Sequence, residues 1–143
     1  MAIRNSASAH WSGDLKSGKG QISTASGGLS GLPYDFRKRF EGEKGTNPEE
    51  LIGAAHAACF SMALSAELGK AGMTAEAIDT TATVTLDFID GSATVTKIHL
   101  DLTAKIPGAS DAAFQKAAAD AKAGCPISRL LKAAEITLDA KLA

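Results

Sequence analysis

The feature that most constrains the fold is a pair of long β-rich segments, 78–89 and 93–106, joined by Asp90-Gly91. Asp-Gly favours the type I′ turn of a two-residue β-hairpin, because both of its residues tolerate a positive φ. From Ile98 onward the second segment alternates between apolar and polar side chains, which is the pattern of a strand with one buried face. The sequence therefore predicts a long antiparallel hairpin that covers a hydrophobic core.

The clearest helix start lies at Asn47-Pro48-Glu49-Glu50. Asn is a favoured N-cap, Pro suits the first helical position, and Glu50 can complete a capping-box-like exchange. Either Gly69 or Gly72 can end the helix, because glycine is common just past a helix C-terminus. These positions predict one long, alanine-rich helix.

The remaining segments predict groups of consecutive strands before and after this helix in the sequence. Apolar and charged side chains alternate between residues 34 and 40, which favours a strand. The predicted elements are strands at 5–12, 18–26 and 32–40, the helix from residue 47, the hairpin strands, helices at 110–123 and 126–132, and a strand at 136–142. This order, βββ-α-ββ-αα-β, predicts an α+β fold and not a doubly wound sheet, because the strands cluster.

Composition and charge narrow the possible partners. The formal net charge of -1 and the pI near 6.3 argue against binding to nucleic acid or to a membrane surface. We expect no apolar run to approach the roughly 18 residues that span a bilayer. The 143 residues fit one domain, residues 1–143.

Twenty-eight residues are alanine and only seven are aromatic, so a second copy that covers a thin core would stabilise the chain. We therefore expect a homodimer.

The two cysteines stand at positions that suit reactive thiols. Cys59 lies inside the apolar helix, and Cys125 lies between Gly124 and Pro126, where one helix ends and another can begin. The chain begins without a signal peptide, so we expect a reducing cytoplasm, where a structural disulfide is disfavoured. Transient redox chemistry is one interpretation. The alternative is two unrelated buried thiols, since free cysteine is a common core residue.

A reactive Cys59 requires a cation, because a free thiol is only about 3% thiolate at neutral pH. The basic cluster Arg37-Lys38-Arg39 can supply one; the alternative is that these charges decorate a solvated edge strand. Helical periodicity places Glu49, His56 and Cys59 on one stripe, but Glu49 and Cys59 are roughly 15 Å apart along a straight helix. Cys125 can occupy the N-cap of the short helix that follows, where the helix dipole favours a thiolate.

Other kinds of site receive little support. His56 and Cys59 are one turn apart, but no second pair of ligands accompanies them, and a zinc site usually needs four. We therefore expect His56 to pack near the site, and His10 and His99 to be solvated on strands. The sequence lacks a dinucleotide-binding glycine motif, a P-loop, a nucleophile elbow and a Cys-x-x-Cys motif.

Four segments resemble the OsmC/Ohr family of thiol peroxidases, and the likeness covers essentially the whole chain. The most specific segment runs from Arg39 through Asn47-Pro48-Glu49 to Cys59 and on to Leu64. The others are 9–14, 123–128 and 135–139. The resemblance implies an OsmC-like fold, in which an intertwined homodimer wraps two central helices in curved antiparallel sheets.

The resemblance also implies a function and roles for four residues. The family reduces organic hydroperoxides, and hydrogen peroxide less well, in defence against oxidative and osmotic stress. By motif, Cys59 corresponds to the peroxidatic cysteine, Cys125 to the resolving cysteine, and Arg39 and Glu49 to the charged pair that tunes the site. No metal, flavin or haem is implied. The reductant is an external thiol or dithiol, such as a lipoylated protein. Two alternatives stay open: a non-catalytic stress or ligand-binding module, and a thiol redox sensor.

Overall fold

Strands and helices follow the predicted order, with one additional short helix. The computed structural model describes residues 1–143, and its elements are β1 Ala7–Ser12, β2 Lys19–Thr24, β3 Leu32–Tyr34, α1 Phe36–Phe40, α2 Pro48–Lys70, β4 Ala77–Ile89, β5 Ser92–Lys105, α3 Asp111–Gly124, α4 Pro126–Leu130 and β6 Glu135–Leu142. The predicted α+β class is confirmed. The chain forms two compact units, Met1–Leu51 and Ile52–Ala143, and the single domain expected over residues 1–143 stays a prediction.

In the first unit, β1, β2 and β3 form an antiparallel sheet in that order. The predicted strand at 32–40 is wrong beyond Tyr34, because Asp35 caps a helix there: its carboxylate accepts a hydrogen bond from the Lys38 N–H at 3.0 Å. A local cap of this kind outweighs a short alternating pattern. The side chains of Arg37, Lys38 and Arg39 therefore radiate from one helical turn and do not alternate across a strand.

The start and the end of α2 follow the predicted capping rules. The Asn47 side chain accepts the Glu50 N–H at 2.8 Å, which confirms the N-cap. The predicted capping-box exchange is wrong, because the Glu50 carboxylate accepts from the Thr46 hydroxyl at 3.1 Å and so binds the residue before the cap. The helix ends at Lys70, and Gly72 follows with φ 74°, a left-handed conformation that suits glycine at a helix end.

The second unit contains a sheet in the order β4-β5-β6. Asp90 and Gly91 have φ values of 49° and 79°, as a type I′ turn requires, and β4 pairs antiparallel with β5. The last strand departs from the antiparallel pattern, because β6 runs parallel to β5. Parallel neighbours need a long crossover connection, and α3 and α4 provide it here.

The core of this unit lies between one face of β5 and the helices. The predicted alternation is confirmed, since every second residue of β5 from Ile98 is at most 2% exposed. Removing these side chains from water is the main stabilising contribution to the unit. The largest core residues are Phe60, Leu64, Leu68, Ile98, Leu100, Leu102 and Phe114.

Helix α2 is more apolar than expected. By length and composition it could cross a membrane: it has 23 residues, and an 18-residue window reaches a mean hydropathy of 1.4. The expectation that no apolar run approaches this length is therefore wrong. A core helix meets the same criteria, and α2 buries a row of side chains at helical spacing. The buried residues of α2 are Gly53, His56, Phe60, Leu64 and Leu68.

Candidate active site

The two cysteines, 66 residues apart in sequence, meet in the second unit. The Sγ atoms of Cys59 and Cys125 are 2.9 Å apart, and both thiols are free. Cys59 is half-buried on α2, whereas Cys125 is completely buried. The pair is therefore close enough for direct sulfur–sulfur chemistry, and Cys59 is the sulfur that a small molecule can reach.

Cys125 is held by hydrogen bonds of its backbone on both sides. Its N–H donates to the Ala121 carbonyl at 2.9 Å at the end of α3, and its carbonyl accepts the Arg129 N–H at 3.0 Å at the start of α4. Pro126 takes the first position of α4, where its missing N–H removes no helical hydrogen bond. The predicted N-cap position of Cys125 is confirmed.

The two thiols differ in their acidity. Burial raises the pKa of Cys59, and the adjacent Cys125 raises it further. Burial also acts to raise the pKa of Cys125, but hydrogen bonds from Cys59, Ser128 and Ile127 outweigh it, and the net pKa is lowered. A negative charge shared by the pair therefore favours Cys125, and Cys59 needs a cation from elsewhere to become the thiolate.

His56 does more than pack near the thiols. It is completely buried on α2, and its Nε2 lies 2.7 Å from the Oγ of Ser128 on α4. Burial lowers the pKa of His56, so the ring is neutral. Its Nδ1 is buried without a hydrogen-bond partner. Sequence reasoning missed Ser128, although its position three residues after the N-cap cysteine is a signal that could have drawn attention to it.

Arg39 and Glu49 form a forked ion pair in the first unit. Arg39 Nη2 donates to Glu49 Oε1 at 2.7 Å, and Nε lies 3.2 Å from both carboxylate oxygens. The guanidinium also lies 5.1 Å from the centroid of the Phe40 ring, within cation–π range. Glu49 therefore fixes the orientation of Arg39, as the bidentate geometry of such pairs requires.

The other two basic residues of the cluster are occupied elsewhere. Lys38 binds Asp35 at 2.9 Å and Glu43 at 3.1 Å, and Arg37 binds Glu43 at 3.0 Å. Lys19 reaches the same Asp35 carboxylate at 2.8 Å, and these lysine contacts hold the pKa of Asp35 well below its usual range. Asp35 thereby anchors the turn that carries Arg39.

A cavity of about 300 Å³ adjoins Arg39 in the first unit. Its wall is mostly aromatic and presents one guanidinium, a composition that suits a small ligand with an apolar body and a polar end. The lining residues are Trp11, Leu15, Tyr34, Asp35, Phe36, Arg39 and Phe40.

One cluster in the second unit has the composition of a metal site. His99 Nε2 lies 3.3 Å from Asp101 Oδ1 and 3.1 Å from Asp139 Oδ2. The expectation that His99 is solvated is wrong: its ring is half-buried, and Nδ1 is hydrogen-bonded to Thr137. Sequence reasoning missed the cluster because the parallel pairing of β5 with β6 creates it. Both aspartates are largely exposed.

The four predicted site residues thus form two pairs, Cys59 with Cys125 and Arg39 with Glu49. The paired thiols on an α+β scaffold define a dithiol redox protein. The profile of the OsmC-like protein family matches residues 41–141. Over 142 residues the chain is 58% identical to peroxiredoxin OsmC of Escherichia coli, with 99% of each chain covered. The chain belongs to the OsmC family.

Solved structures agree with this assignment. An organic hydroperoxide resistance protein OsmC from Legionella pneumophila matches with a TM-score of 0.77 and 25% identity, over 99% of this chain and 98% of that one. The organic hydroperoxide resistance protein OhrB of Bacillus subtilis has the same fold, with a TM-score of 0.69 and 23% identity, over 96% of this chain and 98% of that one.

Proposed function

We propose that the chain is a cysteine-based peroxidase that reduces organic hydroperoxides, and hydrogen peroxide less well, in defence against oxidative and osmotic stress. The observation that carries this proposal is the 2.9 Å approach of the free Cys59 and Cys125 sulfurs. The name of the Escherichia coli relative, a peroxiredoxin, and that of the Legionella pneumophila structure, an organic hydroperoxide resistance protein, support it.

Cys59 is the peroxidatic residue, because it is the more accessible sulfur of the pair. Its thiolate attacks the distal oxygen of the hydroperoxide, an S–O bond forms, and the O–O bond breaks. The leaving alkoxide takes a proton and departs as the alcohol, and Cys59 becomes a sulfenic acid. The sulfur supplies both electrons, so the step needs no metal, flavin or haem.

Arg39 and Glu49 are proposed to complete this site. Burial and Cys125 raise the pKa of Cys59, so the thiolate needs a neighbouring cation, and a guanidinium would also stabilise the charge that develops on the leaving alkoxide. Glu49 would hold that guanidinium in one orientation. The aromatic cavity beside Arg39 would receive the alkyl group of an organic hydroperoxide.

Cys125 resolves the sulfenic acid. It attacks the Cys59 sulfur, a disulfide forms, and water leaves, which protects Cys59 from irreversible oxidation. An external thiol, and preferably a dithiol such as a lipoylated protein, then reduces the disulfide by exchange. These steps suit the reducing cytoplasm, where thiol reductants are maintained.

A homodimer is proposed as the working form. Helix α2 exposes a stripe of small and apolar side chains, Ala54, Ala58 and Met62, and Met62 is 76% exposed. A second copy packed antiparallel along this stripe would cover it. Gly53 does not belong to this stripe: it is buried, and a Cβ there would lie 3.0 Å from the Ala82 carbonyl oxygen of β4 in its own chain.

Antiparallel packing of two α2 helices would also bring the Arg39–Glu49 pair of one chain close to the thiols of the other. Glu49 and Cys59 lie ten residues apart on one continuous helix, roughly 15 Å along its axis. In an antiparallel dimer the start of one α2 comes level with the middle of the other. We therefore infer composite sites, with Cys59 and Cys125 from one chain and Arg39 and Glu49 from the other.

A turnover assay tests the function. The reduced chain is mixed with tert-butyl hydroperoxide, a fatty-acid hydroperoxide or hydrogen peroxide, and with a monothiol or a dithiol. A peroxidase consumes many equivalents and prefers organic substrates and dithiols. A ligand-binding module whose thiols are inert consumes none, and a redox sensor is oxidised once without sustained turnover; either outcome would contradict the proposal.

A further inference from the structure

Two side-chain contacts join α2 to α4, and only one of them takes part in the proposed chemistry. Cys59 meets Cys125 at 2.9 Å, and His56 meets Ser128 at 2.7 Å. On each helix segment the two positions are three residues apart, so the contacts are neighbours, about one turn from each other. His56 and Ser128 are 0% and 4% exposed, which makes theirs a buried polar pair beside the thiols.

A buried imidazole at this position lowers the stability of the folded chain relative to an apolar side chain. Buried polar atoms destabilise a protein unless they are hydrogen-bonded, and Nδ1 of His56 has no partner. The other fully buried side chains of α2, Phe60, Leu64 and Leu68, are apolar, and an apolar residue at position 56 would leave no polar atom unpaired. The contact made by Nε2 therefore points to a role beyond packing.

The tautomer of His56 determines where the Ser128 hydroxyl hydrogen goes. Since burial lowers the pKa of His56, the ring is neutral and carries one N–H. An Nε2–H donates to Ser128 Oγ and leaves the unpaired Nδ1 as a lone pair, which is less costly than a lone buried N–H. The Ser128 hydroxyl hydrogen is then free to point toward Cys125, three residues earlier at the N-cap of α4, where a hydrogen bond from Ser128 acts to lower the pKa of the thiol.

We propose that His56 and Ser128 are positioning residues for the resolving step. Their hydrogen bond holds α4 against α2 and thereby keeps Cys125, the N-cap of α4, in contact with Cys59, while the Ser128 hydroxyl hydrogen is left available to the Cys125 thiolate. This inference rests on the proposed peroxidase function and extends it to two residues that do not touch the peroxide.

The step they assist is the attack of the Cys125 thiolate on the Cys59 sulfenic acid. The S–S bond forms, the S–O bond of Cys59 breaks, and hydroxide leaves and takes up the proton that Cys125 gave up, so that the products are the disulfide and water. Further peroxide competes for the same sulfenic acid and yields the sulfinic acid. Faster resolution therefore protects the enzyme from inactivation.

The test measures the resolving step apart from the first oxidation. Reduced wild type, Ser128→Ala and Ser61→Ala are mixed with tert-butyl hydroperoxide and quenched at intervals, and disulfide, sulfenic and sulfinic forms are counted by mass spectrometry. Ser61 is the matched control, because its hydroxyl bonds Thr80 at 2.8 Å and not the thiol pair. We expect Ser128→Ala to resolve about tenfold more slowly, as the loss of a hydrogen bond to an anion implies, with no slowing of the first step and with more sulfinic acid. Ser61→Ala should match the wild type.

The pH profile separates this role from simple packing. The titratable groups in hydrogen-bond contact with the side chains of Cys125 and Ser128 are Cys59 and His56. In Ser128→Ala the inflection of the resolving rate should move to higher pH, and Ser128→Thr, which restores the hydroxyl, should return it. A wild-type resolving rate and profile in Ser128→Ala, or an equal loss in Ser61→Ala, would overturn the inference.

Two substitutions on α2 repeat the test if Ser128→Ala does not fold. His56→Gln keeps an N–H donor near the position of Nε2, whereas His56→Leu removes it. His56→Leu should resolve slowly and His56→Gln should approach the wild type; equal rates in the two variants would overturn the inference. A wild-type chain that forms no Cys59–Cys125 disulfide would overturn the proposed function itself, and it is distinguished by the wild-type sample alone.

Discussion

Arg39 and Glu49 are joined by three donor–acceptor contacts between 2.7 and 3.2 Å, and the carboxylate is only 11% exposed. The guanidinium is 36% exposed, so it keeps a free edge while Glu49 fixes its plane. Lys38, in contrast, is committed to Asp35 and Glu43. Arg39 is therefore the residue of the basic cluster that is best arranged to offer its charge to a thiolate.

The Arg39→Ala variant should reveal the effect of the guanidinium charge on the pKa of Cys59. Without the cation the pKa of Cys59 rises, and iodoacetamide labelling of Cys59 at pH 7 should slow by about tenfold or more, with a much smaller change at pH 9. Arg37→Ala is the matched control from the same helical turn and should label normally. An unchanged labelling profile in Arg39→Ala would remove Arg39 from the mechanism.

Composite sites predict complementation between two inactive variants. Cys59→Ser and Arg39→Ala chains, unfolded together and refolded, should yield heterodimers with one intact site and one doubly damaged site. Peroxidase activity should therefore reappear, at up to about half the wild-type value per heterodimer. If mass spectrometry verifies the heterodimer and no activity returns, each chain builds its own site.

Two glycines of α2 should respond to alanine in opposite directions. A Cβ on Gly53 would lie 3.0 Å from the Ala82 carbonyl oxygen, whereas a Cβ on Gly69 meets nothing within 4 Å. Gly53→Ala should lower the free energy of unfolding by about 1–3 kcal/mol through overpacking. Gly69→Ala should raise it by about 0.5–1 kcal/mol, because alanine favours the helix. Urea unfolding measures both, and a stabilised Gly53→Ala would refute the predicted contact with β4.

Burial of His56 predicts a loss of stability in acid. Its pKa is lowered in the folded chain, so between the folded and unfolded pKa values the unfolded chain binds the additional proton. The free energy of unfolding therefore has its full value above the pKa of histidine in the unfolded chain, about 6.5, and falls as the pH drops toward the pKa of His56 in the folded chain. Urea unfolding at several pH values from 8 to 5 should show this loss in the wild type and a smaller one in His56→Gln. His10→Gln, at an exposed strand position, should retain the wild-type slope.

Local sequence patterns predicted most elements of the fold. The alternation in β5, the Asp90-Gly91 turn and the Asn47 cap each follow from residues within a few positions, and all three are confirmed. The α1 helix was missed because Phe36–Phe40 also alternates like a strand, and the Asp35 cap outweighs that pattern. The parallel pairing of β6 with β5 has no local signature, since α3 and α4 separate the two strands in sequence.

The candidate site, like the fold, could be predicted from the sequence only in part. A family resemblance, and not spacing, suggested that Cys59 and Cys125 act together, and the fold brings their sulfurs into contact. The bond between His56 and Ser128 spans 72 positions, so neither residue gave a local signal that named its partner. Sequence patterns therefore indicate which residues are chemically capable, whereas the tertiary structure determines which of them meet.

The most direct test of the account is mass spectrometry of the reduced chain after one equivalent of tert-butyl hydroperoxide. The wild type should lose the mass of two hydrogen atoms as the Cys59–Cys125 disulfide forms. Cys125→Ser should consume that equivalent, stop at the Cys59 sulfenic acid and over-oxidise when more hydroperoxide is added, and Cys59→Ser should remain reduced and inactive. A Cys59→Ser variant that keeps substantial peroxidase turnover, or a wild type in which both thiols stay reduced, would contradict the central claim that Cys59 reduces the peroxide and Cys125 resolves it.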